Sequence, residues 1–141
     1  MPFALHERLE ADTLFIKDLT HSRVLLMNDN QYPWLILVPR YPNLRDLHDL
    51  SKDQLTEVME EVRLVSDILV EEFKAFKINV AALGNMVPQL HIHVIARYED
   101  DPAWPGPVWG VHPAKAYDSN KAQALKVILE TAIERGSIKP E

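Results

Sequence analysis

Residues 87–97 interrupt an apolar segment with a polar side chain at every second position. The polar residues are Gln89, His91 and His93, and the aliphatic residues between and after them are Leu90, Ile92, Val94 and Ile95. Successive side chains of a β-strand point to opposite faces, so the pattern predicts a strand whose three polar residues share one face. Residues two positions apart lie about 7 Å apart along a strand, close enough for two imidazoles to act on one small anion or metal ion. We therefore interpret His91 and His93 as functional residues rather than as solvated residues on an open sheet face.

The composition limits the class of protein. The chain has 141 residues, of which 47% are hydrophobic and none is cysteine, so we expect residues 1–141 to form a single domain without disulfides or thiolate chemistry. The N-terminus reaches Glu7 without the basic and then apolar stretches of a signal peptide, and no apolar run approaches about 18 residues. We expect a cytoplasmic protein with no membrane partner.

The charge distribution narrows the choice of ligands. The formal net charge is −6, and Lys and Arg are scattered along the chain rather than gathered in a stripe, which argues against a nucleic-acid partner. A small nucleotide is compatible with this charge, because backbone N–H groups and a few side chains are enough to hold a phosphate.

Hydrophobic periodicity and turn residues predict five strands and three helices. The predicted strands span residues 13–19, 22–28, 34–40, 77–83 and 87–97. The predicted helices span residues 5–11, residues 51–73 with a capping box at Ser51 and Gln54, and residues 118 or 119 to about 135. Residues 99–118 predict an irregular loop pinned by Trp104 and Trp109. Because strands outnumber helices and several connections are short, we predict an α+β domain: an antiparallel sheet of about five strands, with one long helix on a face and a C-terminal helix.

Two neighbouring imidazoles beside a polar loop suit chemistry on a phosphate. A neutral imidazole is a good nucleophile at neutral pH, and a second imidazole can protonate a leaving group or donate a hydrogen bond to a phosphate oxygen. The backbone N–H groups of Gly84–Met86 and the amide of Asn85 are candidates to hold phosphate oxygens. The chain contains no Walker-type loop, which excludes a P-loop enzyme.

The segment Gly84–Ile95 resembles the signature of the histidine triad family of nucleotide hydrolases and transferases. That signature is His-φ-His-φ-His-φ-φ, where φ is apolar, preceded by a short polar loop. Val24–Arg40 is similar to the family's two nucleotide-side strands, and Leu47–Leu50 is similar to its His-Asp-Leu entry into the main helix. The resemblance implies the family's fold and hydrolysis of a phosphoanhydride or phosphoramidate bond in a purine nucleotide, with dinucleoside polyphosphates as one substrate class.

The resemblance implies a role for each position of the signature. His91 matches the middle histidine, which attacks the α-phosphate and forms a nucleotidyl-histidine that water then cleaves. His93 matches the third histidine, which contacts the phosphate and the leaving-group side. Gln89 stands at the first position, which in the family orients the nucleophile through its main-chain carbonyl, and a glutamine carbonyl can do the same. We therefore expect His91→Ala to abolish turnover and Gln89→His to leave turnover intact or raise it.

The resemblance also implies a nucleotide-binding set. Asn85 and Met86 match the phosphate-binding loop, although Met86 replaces a residue that is often Ser or Thr and so removes a side-chain donor. Asn28 lies where the family binds the ribose hydroxyls, and Leu26 and Leu9 would flank the base. The resemblance further implies a homodimer. It implies no cofactor for the nucleophilic step, with Mg²⁺ only as a companion of a polyphosphate substrate.

Two alternatives to a nucleotide hydrolase stay open. If Gln89 and Met86 mark a change of activity, the chain is a nucleotide-binding protein that transfers nucleotidyl groups or catalyses nothing. A metal enzyme would instead use the His-x-His pair as two ligands on one strand. Its further ligands would come from Glu99, Asp100 and His112.

Overall fold

The computed structural model describes residues 2–137, and within them three helices pack with one five-stranded sheet. The strands are β1 (Thr13–Asp18), β2 (Ser22–Met27), β3 (Trp34–Pro39), β4 (Lys77–Ala81) and β5 (Ile92–Arg97). The helices are α1 (Glu7–Asp12), α2 (Lys52–Phe73) and α3 (Ser119–Ser137), and a 3₁₀ turn spans Leu47–Asp49. No helix among these residues is long and apolar enough to cross a membrane.

The sheet is antiparallel at every junction, in the order β1-β2-β3-β5-β4. The chain leaves β3, passes through α2 and then β4, and returns as β5, which lies between β3 and β4. This return places His93 opposite Ile36 of β3, far from it in the sequence. The predicted α+β architecture with an antiparallel sheet is confirmed.

Helices α2 and α3 cover one face of the sheet. Helix α2 begins at the predicted capping box, in which the Ser51 hydroxyl accepts from the Gln54 N–H at 3.1 Å and the Gln54 side chain accepts from the Ser51 N–H at 2.9 Å. Both helices turn an apolar stripe to the sheet, as expected for amphipathic helices. The strands contribute to this helix-side core through Val24, Leu26, Leu35, Leu37, Ile92, Val94 and Ala96.

The opposite face of the sheet carries the histidine pair, and we refer to it as the histidine face. Its buried apolar residues form a second cluster, consisting of Leu9, Leu25, Tyr32, Trp34, Ile36, Val38, Ile95 and Val108. The N-terminal segment packs on this cluster through Phe3 and Leu5, and the loop after β5 packs on it through Ala103 and Trp109. The face that the long helices leave uncovered is therefore enclosed by irregular segments.

Strand β5 is shorter than the stretch 87–97 that the alternating pattern predicted. Its ladder with β3 begins at Ile92, opposite Leu37. The N–H of Leu90 donates to the carbonyl of Leu44 at 3.0 Å, in the loop after β3, instead of to a strand. Gln89 and His91 therefore lie in the connection that enters β5, and the prediction that they belong to the strand was wrong.

The loop after β5 folds around a buried ion pair. The guanidinium of Arg97 bonds both carboxylate oxygens of Asp101, at 2.8 and 3.1 Å, and also donates to the side chain of Asn79 and the carbonyl of Gly106. Trp104 lies 5.7 Å from the same guanidinium. Asp101 in turn accepts from the backbone N–H groups of three residues of its own loop. The loop thus obtains its shape from a fully bonded charge pair as well as from its tryptophans.

Candidate active site

His91 is held in one tautomer by a backbone carbonyl. Its Nδ1 lies 2.7 Å from the carbonyl oxygen of Gln89. A carbonyl only accepts hydrogen bonds, so Nδ1 carries the proton of the neutral ring and Nε2 keeps its lone pair. The ring is 7% exposed and borders a cavity of about 240 Å³ between residues 45–48 and 82–84. His91 therefore has an unprotonated Nε2 and borders a small cavity whose lining includes both charged and apolar residues.

His93 is held in the opposite tautomer by an indole. The Nε1–H of Trp34 donates to Nδ1 of His93 at 3.0 Å. An indole N–H only donates, so Nδ1 of His93 is unprotonated and its proton lies on Nε2. The rings of His91 and His93 are 5.1 Å apart between centroids and inclined by 71°. The pair thus combines one imidazole with a free lone pair and one with a free N–H group.

The surroundings keep His93 uncharged at neutral pH. Burial, together with a smaller effect of the neighbouring His91, lowers the pKa of His93 from 6.5 to about 4. The donated hydrogen bond from Trp34 acts in the same sense, because protonation of Nδ1 would set two donors against each other. His93 can therefore donate a hydrogen bond from Nε2 at pH 7 but is a poor source of a whole proton.

Trp109 completes an aromatic wall around His93. Its ring lies 5.1 Å from the His93 ring and 5.8 Å from the Trp34 ring, nearly perpendicular to both. Edge-to-face contacts of this kind stabilise aromatic pairs. The sequence predicted that Trp109 pins its loop, but it did not place either tryptophan at the histidines, because neither lies near them in the chain.

A larger cavity, of about 500 Å³, lies between α2, α3 and the turn after β1 and does not touch the histidine pair. Its lining carries more acidic than basic residues, so its charge is unfavourable for a phosphate. The acidic residues are Glu57, Glu60, Glu61, Asp67, Glu71 and Glu72. The smaller cavity, by contrast, is bordered by His91, whose Nε2 is unprotonated.

A model of the HIT domain, the histidine triad domain, matches residues 8–100, which include the histidine pair. The chain belongs to the histidine triad family. A histidine triad protein from Marinobacter aquaeolei VT8 is 47% identical, with a TM-score of 0.93, over 96% of this chain and 98% of that one. A histidine triad protein from Bradyrhizobium japonicum is 46% identical, with a TM-score of 0.89, over the same shares of the two chains.

More distant structures share the fold of this histidine triad protein. One is a hypothetical histidine triad nucleotide-binding protein from Sulfolobus tokodaii, 20% identical with a TM-score of 0.69, where 94% of each chain is covered. No curated protein matched the chain. Trp109 and helix α3 lie outside the part of the chain that the family model matches.

The side chain of Gln89, predicted from the sequence to stand at the first position of the histidine triad signature, turns to the N-terminal segment. Its Oε1 accepts from the N–H of His6 at 2.8 Å, and its Nε2 donates to the carbonyl of Ala4 at 2.8 Å. Its backbone carbonyl meanwhile holds His91, the arrangement that the family resemblance implied. The sequence contained no signal for the side-chain contacts, which join residues more than 80 positions apart.

The other residues predicted for the nucleotide differ in where they lie. Leu9 is buried in the cluster on the histidine face, but Leu26 is buried in the helix-side core and is not brought to the histidines. Asn28 follows β2 and accepts from the Tyr117 N–H at 3.0 Å, so part of its amide holds the segment before α3. Asn85 and Met86 lie in the connection before β5, where the Met86 side chain is 81% exposed.

The four other histidines do not join the pair. His6 accepts from the Arg8 N–H at the start of α1, and His21 lies half-buried against Tyr41. His48 lines the small cavity but is 85% exposed, and His112 is exposed. Within residues 2–137, no three His, Asp or Glu side chains are grouped so as to hold a metal ion.

Replacing Trp34 with phenylalanine is expected to raise the pKa of His93 from about 4 towards its ordinary value of 6.5. The substitution removes the donor that opposes protonation of Nδ1 and opens the site to water. An NMR titration of the His93 ring in both proteins measures the change. Trp109→Phe is the matched control, since Trp109 contacts the same ring without a hydrogen bond to it. An unchanged pKa in the Trp34 variant would contradict this account.

The same depressed pKa makes stability depend on pH. Between about pH 6.5 and pH 4 the unfolded chain takes up a proton on His93 that the native protein does not bind. The free energy of unfolding therefore has its full value above about pH 6.5. It falls by up to about 3 kcal/mol as the pH drops from about 6.5 to about 4. Urea unfolding at several pH values measures this dependence. We expect the unfolding free energy of the Trp34→Phe variant to change less with pH than that of the parent protein.

Proposed function

We propose that this protein hydrolyses a phosphoanhydride or phosphoramidate bond of a nucleotide through a nucleotidyl-histidine intermediate on His91. The observation that carries the proposal is the opposite tautomers of the pair. A carbonyl on Nδ1 leaves His91 a lone pair at Nε2, and an indole on Nδ1 leaves His93 an N–H at Nε2. A nucleophile and a donor for a phosphate oxygen therefore stand side by side.

The first step forms a bond between Nε2 of His91 and the α-phosphorus. The bond from phosphorus to the leaving oxygen or nitrogen breaks, and its electron pair goes to the leaving group. The imidazole then carries a positive charge, which the carbonyl of Gln89 stabilises through Nδ1–H. In the second step water attacks the phosphorus, the P–N bond breaks, and the neutral ring and a nucleoside monophosphate are released as one proton passes to solvent.

His93 contributes a hydrogen bond rather than a proton in this mechanism. Because its pKa is about 4, the ring stays neutral at pH 7 and its Nε2–H stabilises the charge on a phosphate oxygen or on the leaving atom. The proton that an oxyanion or amide leaving group needs comes from water. This refines the expectation from the sequence, which left both roles open.

We infer that the nucleotide is a purine nucleotide and that dinucleoside polyphosphates are one candidate class. The mechanism needs no metal at the histidines, and Mg²⁺ enters only with a polyphosphate substrate. The Sulfolobus tokodaii protein of the same fold is called nucleotide-binding. A cytoplasmic location fits such substrates.

Release of nucleoside monophosphate from a panel of dinucleoside polyphosphates and nucleoside phosphoramidates tests the proposal. We expect one of these two substrate classes to be cleaved. We also expect mass spectrometry of rapidly quenched protein to find an acid-labile nucleotidyl group on His91. Nucleotide binding without turnover of any substrate would instead identify the protein as a non-catalytic member of the family.

We also propose that the protein forms a homodimer through the β4 edge of the sheet. Strand β4 ends the sheet, and an edge strand offers unpaired N–H and C=O groups to another chain. Apolar side chains around it are exposed, namely Phe76, Val80 and Leu83. Exposed apolar residues beside an open edge are typical of a contact surface.

Val80→Glu is expected to convert the dimer to a monomer, because it places a charge at the centre of the proposed contact. Light scattering coupled to size exclusion at micromolar concentration measures the mass. Val127→Glu is the matched control, since Val127 is about as exposed but lies on α3. A monomeric parent protein, or a dimer that survives Val80→Glu, would contradict the proposal.

A further inference from the structure

We propose that the side chain of Gln89 is a positioning group that fastens the N-terminal segment, residues 2–6, beside His91 and thereby keeps the nucleophile in its reactive tautomer. The inference rests on the proposed function for its kinetic consequence. Its structural part concerns the chain alone. Gln89 would act through other groups rather than by touching substrate.

The carboxamide of Gln89 matches the backbone that it holds. It accepts from the N–H of His6 and donates to the carbonyl of Ala4, each at 2.8 Å. A primary amide places an acceptor and a donor side by side, as one peptide group of a neighbouring strand would. The two nitrogens of an imidazole point away from each other, so a histidine at this position cannot make both bonds. The residue that departs from the family signature is therefore chemically suited to this attachment.

The backbone of Gln89 has one other anchor, at the peptide group that it shares with Leu90. Gln89 lies before the ladder of β5, which begins at Ile92. The N–H of Leu90 donates to the carbonyl of Leu44, and the carbonyl of the same planar peptide group accepts from His91. One residue therefore joins the N-terminal segment through its side chain and the nucleophile through its carbonyl. If the side chain is released, the Leu44 bond alone holds this peptide group, and we expect the direction of the carbonyl to be less well fixed.

The N-terminal segment lies on the histidine face, where its position affects the site. Phe3 and Leu5 pack on the cluster that contains Trp34, the partner of His93. The guanidinium of Arg23 lies 5.5 Å above the Phe3 ring. These contacts are apolar or weakly directional, so the two Gln89 bonds provide the segment with a specific polar attachment. They also attach the segment to the residue whose backbone carbonyl holds His91.

Gln89→Met tests the attachment, because methionine has a similar length and makes neither bond. We expect hydrogen exchange of the His6 amide to become at least about tenfold faster. We also expect ¹⁵N spectra of the His91 ring to change from one Nδ1–H tautomer to a mixture. Gln123→Met is the control, since Gln123 is exposed on α3. Both readouts need no substrate, so they decide this inference even if no hydrolysis is found.

The kinetic consequence is tested with a deletion of residues 2–5. We expect Gln89→Met and the deletion each to lower kcat about tenfold with little change in KM, through loss of orientation of His91. The double variant should be no slower than either single variant, because both changes remove one attachment. If the fall in kcat of the double variant were the product of the two single falls, Gln89 would act on substrate directly, and the inference would be overturned. Unchanged His6 exchange and His91 tautomer in Gln89→Met would also overturn it.

These contacts change one expectation from the sequence. Gln89→His was expected to leave turnover intact or raise it, on the ground that the backbone carbonyl remains. Because an imidazole cannot keep both bonds to the N-terminal segment, we now expect Gln89→His to lower kcat in the same way as Gln89→Met.

Discussion

Replacing His91 with alanine is expected to lower the release of nucleoside monophosphate by at least about a thousandfold. The variant removes the only nitrogen of the pair that has a free lone pair. His93 cannot replace it, because Trp34 occupies its Nδ1 and the proton of the neutral ring lies on Nε2. Initial rates on a substrate of the parent protein measure the loss, and labelled nucleotide should no longer become attached to the protein.

The matched control for this variant is His112→Ala. His112 is exposed and stands apart from the pair, so its removal should leave the rate within about twofold. Thermal unfolding of both variants separates a loss of the nucleophile from a loss of the fold. A His91→Ala protein that is folded and fully active would refute the nucleotidyl-histidine mechanism, whereas binding of a nucleoside monophosphate is expected to survive the substitution.

The largest effect on stability is expected for Asp101→Ala, at about 3–5 kcal/mol of unfolding free energy. The side chains of Arg97 and Asp101 are only 1% and 3% exposed. Removing the carboxylate leaves a guanidinium buried without its counter-charge and leaves the N–H groups of Tyr98 and Ala103 without their side-chain acceptor, while the Trp104 N–H keeps only the Asp101 backbone carbonyl at 3.3 Å. Urea unfolding of the parent protein and of Asp101→Ala at pH 7 measures the difference in unfolding free energy.

Asp18→Ala provides the comparison for that variant. Asp18 pairs with Arg23 at the same 2.8 Å, but the two side chains are 35% and 28% exposed. Water screens such a pair, so we expect a loss of less than about 1 kcal/mol. If Asp18→Ala and Asp101→Ala lost the same unfolding free energy, burial would not determine how much the Arg97–Asp101 pair stabilises the fold.

The pH dependence of the Arg97–Asp101 pair has a definite sign. Burial alone would raise the pKa of Asp101, but its hydrogen bonds from Arg97 and from backbone N–H groups, with the charge of Arg97, leave that pKa below its ordinary value. A carboxyl group with a lowered native pKa stabilises the fold above its unfolded pKa of about 3.9. This contribution is lost as the pH falls below that value, and Asp101→Ala should abolish it.

The amino-acid pattern alone identified much of the molecule. The alternation at residues 89–93 placed the histidines on one side of the chain, and the capping box at Ser51 located the start of α2. Both are local signals, because a side chain's direction in a strand and a cap's partner in a helix depend on neighbours within a few residues. The pattern overestimated β5, since alternation continues through Gln89 although the ladder begins only at Ile92.

The tertiary structure decided which nitrogen of His93 is protonated and what surrounds the histidine pair. Trp34 reaches His93 because β5 returns to lie beside β3, 59 positions away in sequence, and Gln89 reaches Ala4 and His6 because the N-terminal segment crosses the same face. Sheet order and loop docking depend on the packing of the whole chain, and no short stretch of sequence encodes them. The sequence by itself determined which residues are chemically capable of acting on a phosphate. Only the fold determined which nitrogen of His93 is free to act, because the long-range hydrogen bond from Trp34 sets its tautomer, whereas the carbonyl that sets the tautomer of His91 lies two residues away in the chain.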